Sequence, residues 1–294
     1  MNERETLKIN GKGHLEIGGC DAVALAKDFG TPLYVFDEKY IRDMMRVYRD
    51  TIDGEYGGNG LVLYASKAFS CEAVYRIAAQ ENIGVDVVSG GELYTAIKAG
   101  FPAAKIYMHG NNKLPSELEF AVSSGVGVVV VDSYDEADML DEIAKKAGIN
   151  QKVLIRINPG VEAHTHAFVQ TARTDSKFGF SVSDGTAVKM TEYILGKKNL
   201  SLRGYHCHIG SQIFEKQSFV LAAQKAMDFI ASVKSGLGFE ADTLNIGGGF
   251  GIWYTDEDAK ISVQGYADYL KALIAAVKDK AEELGLRQPF LVIE

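Results

Sequence analysis

The chain has 294 residues, 47% of them hydrophobic and 24% charged, which is typical of a globular protein with a substantial core. Its formal net charge of −8 argues against nucleic acid or an anionic membrane as the main partner. The sequence contains no run of 18 apolar residues, so no membrane span is expected. The N-terminus lacks the apolar core of a signal peptide. The three cysteines, Cys20, Cys71 and Cys207, are odd in number and widely spaced, which indicates reduced thiols rather than disulfides. We therefore expect a cytoplasmic protein.

The first 60 residues differ from the rest of the chain. Residues 14–17 and 33–36 have the composition of strands, and residues 21–29 that of a helix. We expect these elements to lie beside the main domain.

After residue 60, short apolar runs alternate with amphipathic stretches. The runs are weakly alternating and rich in Val, Ile and Tyr, as expected for strands covered on both faces. They predict eight strands, at 61–65, 84–88, 105–109, 126–131, 153–157, 203–208, 242–246 and 290–294. The stretches between them predict helices at 70–81, 91–99, 114–124, 134–147, 184–196, 217–236 and 262–285. In the first helix, Ser70 is the predicted N-cap, and one face carries Ala73, Val74, Ile77 and Ala78.

Eight βα units of similar size favour a TIM (β/α)8 barrel over the alternative, a doubly wound open sheet. In this fold, function gathers where the strands end. The side chains expected there are polar or glycine: Lys67, Asp86, His109, Arg156, His206, His208, Ser211, Gly247, Gly248, Gly249 and Glu294. Taken alone, the stretch YASKAFS predicts that Lys67 is an exposed lysine in a strand-to-helix turn.

Several of these residues allow two interpretations. Gly247-Gly-Gly predicts either a phosphate loop or a tight turn without a ligand. We expect only one of His206 and His208 to face inward, and Asp86 with Arg156 could form an ion pair without a catalytic role.

A metal site at His164 and His166 has no supporting carboxylate, and no CxxC pair indicates zinc, so no metal is expected.

The combination of a strand-end lysine, a phosphate loop, an inward histidine and a strand-end carboxylate is specific. A lysine forms a Schiff base with an aldehyde cofactor. Pyridoxal 5′-phosphate needs that lysine, a phosphate site and an acidic partner for its ring nitrogen. The sequence therefore predicts an enzyme that uses this cofactor.

At this point the sequence resembles the diaminopimelate decarboxylases, which belong to the fold type III, alanine-racemase-like pyridoxal phosphate enzymes. The matching segments lie in the family's order along the chain: YASKA from Tyr64, DVVSGGEL from Asp86, HGNNK from His109, DSKFG from Asp175, HCHIGSQ from His206 and GGGFG from Gly247.

The resemblance implies a role for each residue. Lys67 carries the cofactor, His208 stacks on its ring, and Glu294 is the partner of the ring nitrogen. Asp86 and Arg156 also line the cofactor site. Ser211 and Gly247 to Gly249 bind the phosphate.

The resemblance further implies that meso-diaminopimelate is converted to L-lysine and CO2 by a cytoplasmic homodimer. Residues 1–40 then belong to a second, β-structured domain, and residues 41–294 form the barrel. The Pro-Gly-Arg expected after Glu294, the second domain and its catalytic cysteine are not in this sequence, and no helix follows strand eight. We therefore expect a truncated form that binds the cofactor but turns over substrate poorly. Residues 33–36 are then expected to lack a pairing partner and to expose apolar side chains.

Three alternatives remain open. One is a decarboxylase of the same fold that acts on ornithine, arginine or carboxynorspermidine, although the HTH stretch at His164 and the GNNK stretch favour diaminopimelate. Another is a barrel that binds the cofactor without catalysis. An alanine racemase is disfavoured, because that group pairs the ring nitrogen with an arginine.

Overall fold

The computed structural model describes residues 6–161 and 178–294. In these ranges, a closed barrel of parallel strands is surrounded by helices and preceded by a small antiparallel sheet. No helix in these ranges is both long and apolar enough to cross a membrane.

The small sheet consists of β1 (Leu7–Ile9), β2 (Leu15–Ile17) and β3 (Cys20–Asp21), and helix α1 (Ala22–Phe29) follows it. Asp21 caps α1 because its carboxylate accepts hydrogen bonds from the backbone N–H groups of Val23 and Ala24. The predicted strand near His14 and the predicted helix at 21–29 are thus confirmed.

The predicted strand at 33–36 is wrong, because these residues form no β-pairing in the part of the chain that the structure describes. A strand pattern becomes a strand only where a neighbouring edge completes its hydrogen bonds. The expectations that these residues find no pairing partner among the described residues and that they expose apolar side chains are both confirmed, and Tyr34 is 92% exposed. Phe36 stacks on Phe69 with ring centroids 4.3 Å apart.

All eight predicted barrel strands are confirmed, with small differences at their ends. They are β4 (Gly60–Ala65), β5 (Gly84–Val87), β6 (Ile106–Met108), β7 (Val128–Val131), β8 (Gln151–Asn158), β10 (Leu200–His206), β11 (Thr243–Asn245) and β12 (Phe290–Ile293). A short strand, β9 (Phe180–Ser181), pairs with the end of β8. Neighbours pair in parallel; β8 pairs with β10, and β12 pairs with β4 to close the barrel.

The seven predicted helices are also confirmed. They are α3 (Glu72–Gln80), α4 (Gly90–Lys98), α5 (Pro115–Ser124), α6 (Tyr134–Ala147), α7 (Thr186–Leu195), α8 (Lys216–Leu237) and α9 (Val263–Glu283). Two details of α3 differ from the prediction. Its N-cap is Cys71, since the Ser70 hydroxyl instead bonds the Tyr75 hydroxyl. Ala73 is exposed, and the helix buries Tyr75 in addition to Val74 and Ala78.

A 19-residue helix, α2 (Glu38–Tyr56), precedes the first barrel strand and was not predicted from the sequence. It packs against α9 and β4, and the Tyr56 hydroxyl donates to the carbonyl of Pro289 just before β12. The helix therefore covers the seam where β12 meets β4. We expected no helix to follow the last barrel strand. The position beside that strand is instead covered by α2, which precedes the first barrel strand.

Glu81, at the end of α3, fixes α2 in place. Its carboxylate is only 5% exposed and accepts hydrogen bonds from Arg42, Arg46 and Arg49, which lie one turn apart along α2. The hydrogen bonds from Arg46 and Arg42 lower the pKa of Glu81 to about 2, although burial opposes the shift.

The core has two layers. The larger cluster lies between the strands and the helices. A separate cluster fills the barrel interior with Leu63, Tyr107, Val128, Val130, Leu154 and Val292. These six side chains identify the inward face of β4, β6, β7, β8 and β12.

Replacing Glu81 with Gln is expected to reduce the free energy of unfolding at pH 7 by about 1–3 kcal/mol, because charge-assisted hydrogen bonds to α2 are lost. A lowered pKa stabilises the fold above the unfolded value, so the difference should be full at pH 7 and shrink as the pH falls from 4.5 to about 2. Urea denaturation of Glu81→Gln, beside the exposed control Glu119→Gln, measures it. Equal losses in both variants would contradict the role of Glu81.

Candidate functional site

The strand register brings four polar side chains into the barrel interior. Asp86 is the register partner of Tyr107, whose side chain lies in the interior cluster. Arg156 follows Leu154 by two residues on β8 and pairs with His206, which in turn pairs with Asn245. Since register partners in a sheet share a face, all four of these polar residues point inward.

The next interior layer is formed by residues two positions further along their strands. His109 follows Tyr107, Glu294 follows Val292, and His208 follows His206. The expectation that only one of His206 and His208 faces inward is therefore wrong, because residues i and i+2 of an extended strand point to the same side.

Lys67 enters the site from a single 3-10 turn, Ser66–Ala68, that directly follows β4. Its side chain is exposed and makes no hydrogen bond or ion pair with the residues that the structure describes. Its ammonium group is nevertheless near enough to affect the pKa values of Asp86, His208 and Glu294. The lysine is thus an accessible amine at the mouth of the barrel, above two carboxyl groups.

Glu294 is the charged centre of the interior. Its Oε1 accepts a hydrogen bond of 2.8 Å from Asn245 Nδ2 and lies 3.2 Å from His109 Nε2 and 3.4 Å from His206 Nε2. Burial alone would raise the pKa of Glu294, whereas the hydrogen bond from the Asn245 amide and the charge of Lys67 lower it, and the pKa lies below its usual value. The carboxylate is therefore ionised at neutral pH.

Asp86 is the opposite case. It is 2% exposed, and its Oδ1 has no hydrogen-bond partner in the described chain. Burial and the negative charge of Glu294 raise the pKa of Asp86 well above its usual value. Of the two interior carboxyl groups, Asp86 is therefore the one that is harder to ionise.

An ion pair between Asp86 and Arg156, one of the two interpretations of these residues, is not formed between their described side chains. The Arg156 guanidinium instead lies over the ring of Phe178, 4.4 Å from its centroid. Burial lowers the pKa of Arg156, which remains a cation at neutral pH.

His109 and His206 were not predicted as a pair, yet their rings meet edge to face with centroids 4.7 Å apart. Burial lowers the pKa of both imidazoles well below the usual value, so both are neutral. Both histidines could have been found from the alternation of side chains along a strand, since each histidine lies two residues beyond an inward-facing residue.

The glycine loop after β11 approaches other backbone so closely that side chains are excluded. A Cβ on Gly248 would lie 2.3 Å from the Glu294 carbonyl oxygen, and one on Gly249 would lie 1.9 Å from the Gly210 carbonyl oxygen. Gly248 N–H also donates to His208 Nδ1 over 3.4 Å. The loop is therefore held beside both Glu294 and His208. Ser211, which follows His208 by three residues, is exposed.

A buried ion pair supports the segment that carries His109. Lys113 donates 2.7 Å hydrogen bonds to Glu136 Oε1 and to the carbonyls of Gly110 and Val130. Both charged side chains are almost fully buried. This contact fixes the HGNNK segment to β7 and α6.

Some predicted features cannot be placed. His164, His166 and the residues Asp175 to Lys177 lie outside the described residues.

The interior can hold a group with an aldehyde, a phosphate and a basic ring nitrogen. Lys67 offers the amine, the glycine loop offers close backbone approach, and Glu294 offers a negative charge deep in the barrel. The neutral ring of His208, whose pKa burial lowers to about 3, presents no competing positive charge.

Replacing Asp86 with Asn is expected to stabilise the cofactor-free protein at pH 7. A carboxyl whose pKa is raised by folding destabilises the protein above its unfolded value of about 3.9 and has no such effect below it. The gain should therefore decrease as the pH approaches 4. Urea denaturation across this range measures it, with the exposed Asp268→Asn as the control. Destabilisation at pH 7 would mean that Asp86 is charged and paired.

Comparison with known proteins agrees with this site. The family model "Pyridoxal-dependent decarboxylase, pyridoxal binding domain" matches residues 40–294. Diaminopimelate decarboxylases from Bacillus methanolicus and Bacillus subtilis are 46% and 44% identical over 289 residues, which is 98% of this chain and 66% and 65% of theirs.

Among solved structures, diaminopimelate decarboxylase from M. jannaschii in co-complex with L-lysine superposes with a TM-score of 0.89 at 35% identity, covering 100% of this chain and 67% of that one. The chain thus spans about two thirds of the length of these relatives. Because the family model covers the whole barrel, the chain belongs to the pyridoxal-dependent decarboxylases and contains their pyridoxal-binding domain.

Proposed function

We propose that this chain supplies the cofactor-binding barrel of an enzyme that converts meso-diaminopimelate to L-lysine and CO2. The observation that carries the proposal is the ionised carboxylate of Glu294 inside the barrel. The exposed amine of Lys67 lies at the mouth of the same barrel. The choice of substrate is supported by the names of the relatives at 46% and 44% identity, and by the L-lysine in the M. jannaschii structure.

Each residue has a proposed role. Lys67 binds the cofactor aldehyde covalently, and Gly247 to Gly249 with Ser211 receive the phosphate. His208 would hold the ring as a neutral, flat neighbour. Glu294 favours a proton on the ring nitrogen, because a buried negative charge stabilises a neighbouring positive one.

The bound cofactor supplies a ring that accepts the electron pair left on the α-carbon when CO2 departs. The charges of this chain support that chemistry. Asp86, whose pKa is raised well above its usual value, competes less than Glu294 for the positive ring nitrogen, and Arg156 adds a buried cation to the interior.

We further propose that residues 1–40 form part of a second unit outside the barrel, with the barrel beginning at residue 41. The exposed side chains of residues 33–36 support a contact surface there. A homodimer in the cytoplasm is the assembly and location that we expect.

Sodium borohydride treatment of the protein loaded with pyridoxal phosphate is expected to label Lys67. Peptide mapping of the reduced protein identifies the lysine. Lys67→Ala should lose the label and the visible absorption of the bound cofactor, whereas the exposed control Lys145→Ala should keep both. A label on another lysine in the wild-type protein would contradict the assignment.

CO2 release tests the substrate. In a chimera in which the remaining third of the Bacillus methanolicus relative follows Glu294, we expect release from meso-diaminopimelate to exceed that from ornithine or arginine. We expect slow release from the chain alone. Glu294→Gln should lower kcat at least about 10²-fold, a typical loss for a group that controls a proton in the reaction, while Glu119→Gln should not change it.

Two outcomes would overturn the proposal. Faster release from ornithine or arginine would assign the protein to another decarboxylase. A labelled Lys67 without release from any of these amino acids in the chimera would favour a barrel that binds the cofactor without catalysis.

A further inference from the structure

Three potential metal ligands meet inside the barrel, next to the proposed position of the cofactor ring. His109 Nε2 and His206 Nε2 lie 3.2 Å and 3.4 Å from the same oxygen, Glu294 Oε1. One ligand atom from each of the three residues can be chosen so that all lie within 4.8 Å of one another. The three residues come from the ends of β6, β10 and β12, so the barrel itself fixes their separation.

The Nε2 atoms of both histidines lack a hydrogen-bond partner within the described chain. Although both nitrogens are close to Glu294, neither meets the geometry of a hydrogen bond, and neither has another partner within the described chain. The His109 and His206 side chains are 6% and 1% exposed. Buried polar atoms without a partner are uncommon and call for an explanation such as a water or an ion.

We propose that the cofactor-free protein binds one divalent transition-metal ion, with zinc as the representative case, through His109, His206 and Glu294. Zinc–nitrogen and zinc–oxygen bonds of about 2.0–2.2 Å in a tetrahedral site place ligand atoms about 3.3–3.5 Å apart. The two measured separations from Glu294 Oε1 agree with this spacing. Two neutral imidazoles and one carboxylate leave the fourth position open to water, as in a His₂Glu zinc site.

The donor types suit a metal, because imidazole nitrogens and carboxylate oxygens are both ligands that zinc accepts. Lys67 is exposed at the mouth of the barrel, which leaves a route for an ion from that side.

The metal and the cofactor exclude each other, a part of the inference that rests on the proposed function. Glu294 cannot neutralise a metal ion and a protonated ring nitrogen at the same time, because one carboxylate offers one negative charge. Zinc is thus expected to compete with pyridoxal phosphate for the empty barrel.

The test is zinc titration of the cofactor-free chain by calorimetry. Cys20 and Cys71 are replaced with Ser, since accessible thiols also bind zinc. Cys207 remains, because it is buried and burial raises its pKa to about 12. One ion per chain is expected. His109→Gln and His206→Gln should each weaken binding about tenfold or more, since even indirect partners of metal ligands contribute 10–100-fold.

His14→Gln is the matched control, because His14 pairs with Asp21 in the small sheet, away from the barrel. Circular dichroism and thermal unfolding establish that each variant is folded. Cobalt provides a second readout, since the intensity of its visible bands reports low coordination numbers, and this spectrum should be lost in both barrel variants. Absence of binding, or full binding in both variants, would overturn the site.

Competition is tested with protein in which borohydride has fixed the cofactor to the chain. This form should bind no zinc at the barrel, and unchanged binding would overturn the exclusion. If the chain takes up no cofactor, the proposed function fails, while the titration of the cofactor-free protein still decides the metal site.

Discussion

A negative charge inside a barrel is the constraint on which the rest of this site depends. The side chain of Glu294 is only 6% exposed, and an unpaired carboxylate with so little access to water would tend to take up a proton. The hydrogen bond from the Asn245 amide and the Lys67 ammonium favour its ionised form. Burial and the negative charge of Glu294 together raise the pKa of Asp86 well above its usual value. The pKa values of two carboxyl groups in one cavity are therefore shifted in opposite directions because their surroundings differ, a pattern that separates roles in many enzyme sites.

The sequence was sufficient for the barrel and for most of the candidate site. Buried parallel strands have short apolar runs, and eight such runs set the fold. Lys67, Asp86 and Glu294 were found because strand ends in this fold meet at one rim. Their proposed roles stay predictions. The pairing of His109 with His206 was missed because it depends on the register between strands that are nearly 100 residues apart. It also depends on residues i and i+2 of a strand facing the same side, a rule that was applied wrongly at His206 and His208.

Other errors have local causes. Helix α2 was missed although Ile41, Met45, Tyr48 and Ile52 follow a helical spacing, because charged residues dominate its composition. Residues 33–36 have a strand composition, but composition does not supply a neighbouring edge. Ser70 resembled an N-cap until the hydroxyl of Tyr75 was brought to it by the fold. Tertiary contacts decided each of these cases, and they are not visible in a local window of sequence.

The position of α2 has a consequence for folding. The helix is synthesised before any barrel strand, yet the hydrogen bond from Tyr56 to Pro289 joins residues 233 positions apart. Its packing against α9 likewise spans more than 200 residues of chain. Contacts so distant in sequence form late, because the entropy of closing a long loop opposes them until the intervening structure is compact. We expect α2 to present its apolar face to solvent during synthesis, which makes the open barrel the species most prone to aggregation.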